Sequence, residues 1–143
     1  MNLFRNFEIS ASALTAERLR MDIISNNIAN ARTTRTDEGG PYRRQMPVFA
    51  ELLEEASALQ GKTQASLAGV KVVGIKKDNK APILVFDPSH PDANKDGYVA
   101  YPDINVVTEM VDLIGASRAY EANISAFNAA KDMFRAALEM GRA

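Results

Sequence analysis

Apolar side chains recur with a helical period at both ends of the chain and in short alternating runs through its middle. Near the start, Phe7, Leu14, Met21 and Ile28 are spaced seven residues apart, with Leu3, Ala11 and Ile24 at offsets of three and four. This spacing predicts one apolar stripe on a helix that ends near Asn30. A second, thinner face of the same helix carries Ile9, Ala13, Ala16 and Ile23. Near the end, Val106, Leu113, Tyr120, Phe127 and Phe134 keep a seven-residue spacing, joined at offsets of four by Met110, Ile124 and Leu138. A helix over residues 105–140 would be about 50 Å long at about 1.5 Å per residue, too long to bury itself in a chain of this size.

Small side chains flank the large ones on this second helix, at Ala119, Ala122, Ala126, Ala129 and Ala136, and such a flank admits another helix at close range. Two sides are therefore apolar. A plain two-helix hairpin accounts for the alanines, but neither helix has an outer face polar enough to stand free in water, which favours a subunit of a larger helical assembly.

All six prolines (Pro41, Pro47, Pro82, Pro88, Pro91, Pro102) lie between the helices, as do six of the eight glycines. The chain thus reads as helix, insert, helix, with boundaries at 1–32, 33–103 and 104–143. Within the insert, residues 45–49, 70–76 and 83–86 are alternating or β-branched and predict a small β-hairpin among extended segments. Residues 51–59 predict a short helix, and 60–69 a mobile polar link. The fold class expected is mainly α, with a small β insert.

Composition narrows the chemistry. The 143 residues, 46% hydrophobic and 24% charged, fit a single unit. Seventeen basic against eighteen acidic residues leave a net charge of -1, so no overall field favours a polyanion. With no cysteine and one histidine, His90, thiolate metal sites are excluded and imidazole catalysis has a single possible actor. No apolar run approaches the roughly 20 residues that a membrane helix needs. Glu8 falls inside what would be the apolar core of a signal peptide, so no cleaved leader is read.

Three clusters invite chemistry. Asp92, Asn94, Asp96 and Asp103 reproduce the ligand spacing of an EF-hand calcium loop, with aspartate at the twelfth position, but Pro88 and Pro91 stand where an entering helix belongs. A polar turn joining strand to strand explains the same residues. His90 between Asp87 and Asp92 lacks a second histidine for zinc and a well-placed nucleophile for catalysis. Arg32, Arg35, Arg43 and Arg44 flank a Thr/Gly-rich stretch that would suit a phosphate clamp, diluted by Asp37 and Glu38; salt bridges between chains or simple solvation are the competing uses. No glycine-rich phosphate loop or nucleophile elbow occurs.

Two stretches are more specific. Ile24-Ser25-Asn26-Asn27-Ile28-Ala29-Asn30-Ala31-Arg32-Thr33 resembles the N-terminal signature of the axial proteins of the bacterial flagellum, the rod and hook family. The run over residues 86–140 is similar to a proximal-rod member of that family, through His90-Pro91-Asp92, Gly97-Tyr98-Val99, Tyr101-Pro102 and Asn105-Val106. The resemblance implies a non-enzymatic structural subunit without cofactor or metal, whose terminal helices pair as a coiled-coil-like inner domain and pack into a hollow tube. That tube would transmit torque and form part of the export channel.

The assembly interface it implies is Phe7, Leu14, Met21 and Ile28 on the first helix with Met110, Leu113, Tyr120, Ile124, Phe127, Phe134 and Leu138 on the second. The motif residues it carries are Asn26, Asn27, Ala29, Asn30, His90, Pro91, Asp92, Gly97, Tyr98, Tyr101 and Pro102, with Tyr98 and Tyr101 as candidate contacts. Implied partners are like subunits, the rod proteins FlgB, FlgF and FlgG, the rod base protein FliE, the membrane ring and the flagellar export apparatus, with no nucleic acid and no small-molecule substrate. The implied location is the periplasm-spanning rod of the basal body, reached through type III secretion without a cleaved signal peptide. The competing function is a calcium-responsive helical regulator using the 92–103 loop, and a third is a basic-loop nucleic-acid module.

Overall fold

The computed structural model describes residues 3–55 and 65–141. In chain order the elements are α1 (Leu3–Ala29), β1 (Gln45–Glu55), β2 (Ala65–Lys77), β3 (Ile83–Phe86), β4 (Tyr98–Tyr101) and α2 (Val106–Met140). Two long helices thus enclose two small antiparallel sheets, β1 with β2 and β3 with β4.

The end of α1 and the start of α2 each have a local cause. Asn30 Nδ2 donates to the Asn26 carbonyl at 2.9 Å and Thr33 N–H donates to the Asn30 carbonyl at 3.0 Å, so the end of α1 is closed by its own asparagine and a following turn. At the start of α2, Asn105 stands in extended conformation and its Oδ1 accepts from Val107 N–H (3.0 Å) and Thr108 N–H (3.2 Å). This is the N-cap that a helix following Pro102 requires.

The helices run antiparallel. Phe7 meets Phe127 edge to face with ring centroids 5.0 Å apart, and at the other end Asn27 Nδ2 lies 3.0 Å from Glu109 Oε2. The line that α2 turns towards α1 advances in steps of four and three through Glu109, Leu113, Ala116, Tyr120, Asn123, Phe127, Ala130 and Phe134. Glu109, Ala116 and Ala130 are buried and the other five half-buried, so small and large side chains alternate along the seam.

On α1 the buried residues are Ala16, Ile23, Ile24 and Asn27, while Phe7, Leu14, Met21 and Ile28 are half-buried. The innermost positions of α1 therefore lie between the two faces read from the sequence: Ala16 and Ile23 come from the thinner one and Ile24 from the main stripe, while Ile9 of the thinner face is exposed. Alanine at 16, 116 and 130 lets the backbones approach, and that proximity carries the larger residues to the flanks. At near one-to-one spacing Leu3 falls opposite about residue 131, so the last two to three turns of α2 outrun α1.

The first sheet is longer than the sequence suggested. β1 and β2 pair from Gln45↔Lys77 to Glu55↔Ala65, with irregularities at Val48/Phe49 and Leu52/Leu53. The short helix expected over 51–59 is thus corrected over 51–55, which is strand, and its remainder lies outside the described residues. Good helix formers such as Leu52 and Glu54 are overridden there by cross-strand pairing. The polar link expected over 60–69 is likewise strand from Ala65 to Gly69, and 60–64 lie outside the described residues. β3 matches the run expected at 83–86, but its partner β4 was read only as the far side of a turn.

α1 crosses the first sheet obliquely. Its C-terminal end meets the backbone of Gln45 on β1, and further back Ser12 Oγ accepts from Val70 N–H of β2 at 3.1 Å. Gly69 has φ +137°, and a Cβ there would overlap Ser12 Oγ. Only glycine permits both the backbone angle and the approach. Among the described residues the β3–β4 pair packs on neither helix, and is tied to the rest through the loops.

Gly69→Ala is expected to destabilise the protein by about 2 kcal/mol and to speed exchange of the Val70 amide. Gly74→Ala, where the added methyl meets open space, should change urea unfolding little.

Candidate functional site

The most constrained point of the molecule is the junction of three segments far apart in sequence. Asn27 from α1, residues 42–45 entering β1, and Glu109 and Asp112 from α2 meet there. Asn27 is 1% exposed and its amide is fully used. Its Nδ2 donates to the Gln45 carbonyl (2.9 Å) and to Glu109 Oε2 (3.0 Å), while its Oδ1 accepts from Gln45 N–H (2.9 Å) and the Tyr42 hydroxyl (3.1 Å). Asn27 thus treats Gln45 as a neighbouring strand would, satisfying both backbone groups where β1 begins at the helix.

Glu109 is equally buried, and its other oxygen accepts from Arg44 Nε at 2.6 Å. Arg44 Nη2 also stands 3.7 Å from Asp112 Oδ2, and the Arg44 carbonyl accepts from Asp78 N–H at 2.7 Å. A buried carboxylate is tolerated only when paired and hydrogen-bonded, and both conditions hold here. Burial, and behind it the Glu109 charge, pushes the Tyr42 phenol above its ordinary range. All of these bonding groups turn inward on one another, which makes a joint. A slip of α2 along α1 would withdraw Glu109 from both donors.

The four arginines do not gather into a phosphate clamp. Arg44 is committed to Glu109, Arg35 Nη1 lies 4.0 Å from Asp92, and Arg43 Nη1 reaches Asn79 at 3.5 Å. Arg32 is exposed. The calcium reading finds no support either. Asp92 Oδ2 accepts from Thr34 Oγ1 (2.8 Å), Asn94 Oδ1 accepts from Asp96 and Tyr98 N–H (both 2.9 Å), and Asp103 lies 3.9 Å from Lys80. Among the described residues no three His, Cys, Asp or Glu side chains are placed to hold a metal ion.

His90 has a local role instead: its Nδ1 accepts from Asp92 N–H at 3.1 Å and its ring meets the edge of Tyr101 at 6.3 Å. Asp87, half-buried, is held below the usual carboxylate range by hydrogen bonds from Ser89. Gly97 turns with φ +80°, where a Cβ would press on Phe86 and Pro88.

The motif residues therefore divide by position. Asn27 and Pro102 are buried, Asn30, His90, Asp92, Gly97 and Tyr101 half-buried, and Asn26, Ala29, Pro91 and Tyr98 exposed. Thr34 to Asp92 links the stretch after the first motif to the second. Of the residues expected at an assembly interface, Leu113, Tyr120, Phe127 and Phe134 lie half-buried on the seam, whereas Met110, Ile124 and Leu138 are exposed beside it.

Tyr42, Arg44 and Glu109 were missed as a unit. One signal was available: Glu109 stands seven residues before Ala116, in line with a seam otherwise free of charge.

Residues 7–35 match the family described as Flagella basal body rod protein, and residues 95–140 that described as Flagellar basal body rod FlgEFG protein C-terminal. Asn27 and Glu109 fall one in each matched segment. The chain is 46% identical over 147 residues to the flagellar basal-body rod protein FlgC of Borreliella burgdorferi, covering 96% of this chain and 97% of that one. To the protein of the same name in Bacillus subtilis it is 43% identical over 150 residues, covering 99% and 100%, and to that in Escherichia coli O6:H1 37% over 142 residues, again covering 99% and 100%.

Glu109→Ala is expected to cost about 3 kcal/mol in chemical unfolding, because Arg44 loses its buried partner, and Asn27→Ala about 2 kcal/mol through unpaired groups at Gln45. Their double variant should fall well short of the sum, since the residues share one network. The raised Tyr42 phenol contributes stability that is fully present below about pH 10 and lost as pH rises through its folded value. Tyr42→Phe should flatten that alkaline loss, measured by unfolding across the range.

Proposed function

Because the chain belongs to the FlgC family of flagellar basal-body rod proteins and is a structural subunit of the rod, we propose that its terminal helices pack with neighbouring subunits into a hollow tube that transmits torque. Residues 1–32 and 104–143 form the inner domain in this reading, paired in coiled-coil fashion, and 33–103 carry outer contacts. The subunit is non-catalytic. Its partners are copies of itself, FlgB, FlgF, FlgG, the base protein FliE, the membrane ring and the export apparatus. It lies in the periplasm-spanning part of the rod and is exported without a cleaved signal peptide. No described helix is long and apolar enough to cross a membrane.

The observation that carries this reading is the apolar face α2 leaves uncovered. Val107, Met110, Val111 and Ile114 near its start and Met133 and Met140 near its end are exposed by 51–76% on the side turned away from α1, and Ile124 and Leu138 are exposed beside the seam. Apolar clusters of this kind left in water mark a surface that another protein covers. The overhanging end of α2 adds to it. Packing between many such helices resists relative sliding, because interdigitated side chains must separate together before any one helix moves.

Ile124→Glu tests the reading. With Ile124 already partly in water in the single chain, a carboxylate there costs little before assembly, while enclosure by a neighbour would make it cost several kcal/mol. In a strain lacking its own copy, the variant should stay soluble and be exported yet fail to complete rods. Lys95→Glu, in the exposed loop, should leave the cells swimming. Motile cells with normal rods carrying Ile124→Glu, or a purified variant that precipitates before any assembly, would contradict the proposal.

A further inference from the structure

The loop over residues 87–97, between β3 and β4, is fastened across to the segment that follows α1. Thr34 Oγ1 donates to Asp92 Oδ2 at 2.8 Å, and Arg35 Nη1 stands 4.0 Å from Asp92 Oδ1. Both contacts end on one carboxylate. Arg35 is exposed and its contact is long, so the hydroxyl bond, between two half-buried residues, holds most of the link. The sheet beside the loop does not depend on it, because Val99 of β4 is fully buried.

His90 sets where that carboxylate points. Its Nδ1 accepts from Asp92 N–H at 3.1 Å, its own backbone N–H donates to the Asp87 carbonyl at 3.3 Å, and its ring meets Tyr101 of β4 at 6.3 Å. A ring nitrogen that accepts carries no proton, so this arrangement needs the neutral imidazole with its hydrogen on Nε2. A proton on Nδ1 would set N–H against N–H. An ordinary imidazole changes charge between about pH 5 and 8.

We propose that the 87–97 loop is a strap held to the segment after α1 by Asp92, and that proton uptake at His90 unfastens it. The groups around the ring decide where it turns. Its own loop supplies the carboxylates of Asp87 and Asp92, the segment after α1 supplies the Arg35 guanidinium, and β4 supplies Tyr101. Asp87 already accepts from the Ser89 hydroxyl at 2.7 Å and from Ser89 N–H at 3.2 Å. Asp92, beside Nδ1, gives one oxygen to a neutral hydroxyl, and a charge-assisted bond from an imidazolium is about twice as strong as that. The protonated ring therefore takes Asp92 from Thr34. The strap lifts while β3 and β4 stay paired.

A single histidine makes the test direct, because its ring signal in the full-length chain reads its own titration. Magnetic resonance between about pH 8 and 5 is expected to show the His90 ring and the Thr34 methyl moving with a common midpoint, while the Val99 methyls stay still. Protection of the Asp92 amide against exchange, corrected for the intrinsic effect of pH, should fall roughly tenfold over that range. His90→Asn places a carbonyl oxygen near the position of Nδ1 and has nothing to titrate, so Thr34 should keep its neutral signal throughout. Asp92→Asn should leave the ring titrating with Thr34 no longer following. Spin labels on Ser25→Cys and Lys95→Cys, specific in a chain without native cysteine, should give a narrow distance distribution at the alkaline end and a broad one at the acid end. A His90 that titrates without moving Thr34, a Thr34 shift that survives His90→Asn, or a distance distribution that stays narrow in acid overturns the inference.

Discussion

One buried carboxylate orders this molecule. Glu109 lies where α2 meets α1, and its charge is acceptable only because Asn27 and Arg44 reach it together. Since Arg44 stands at the entry to β1 and Asn27 holds the backbone of Gln45, satisfying Glu109 also fixes where the first sheet departs from the helix pair. The oblique course of α1 over the sheet, the seat of Ser12 on Val70 and the need for glycine at 69 are geometrically downstream of that joint. The apolar contacts supply bulk attraction, and they do not by themselves choose a register.

A joint of this kind suits a part that must carry load without presenting its whole hydrophobic surface to itself. The clasp concentrates specificity at one end of the helix pair, where Ile23, Ile24, Asn27, Glu109 and Ala116 are buried. The other end relies on Phe7, Phe127 and Ala130, and α2 runs on past it. Small residues keep the two helices close, so the large apolar residues left over on α2 project away from α1. The same economy of side chains that makes the intramolecular seam narrow leaves the outward face broad enough for neighbours.

Much of this was legible in the sequence. Proline placement and seven-residue spacing located both helices, and the Asn26-Asn27 signature pointed to the position that turned out most constrained. What periodicity could not rank was which positions on α1 lie innermost, because alanine carries little hydrophobic weight yet decides how near two backbones come, and Ala16 is buried beside Ile23 and Ile24. The strand character of Glu51, Leu52 and the residues after them depends on partners 10 to 19 positions away, beyond the reach of local propensity. The acidic loop at 92–103 showed the reverse failure. Its spacing suited calcium, but Asp92 and Asn94 are occupied by Thr34 and by backbone N–H groups, partners that a linear pattern does not reveal.

The most direct measurement is imaging of purified basal bodies at side-chain resolution. The account requires Glu109 to contact Asn27 and Arg44 of its own chain, with the face bearing Val107, Val111, Ile114 and Met133 enclosed by neighbouring subunits. Subunits in which Glu109 pairs across a subunit boundary, or in which that face of α2 remains in water in the finished rod, would contradict it.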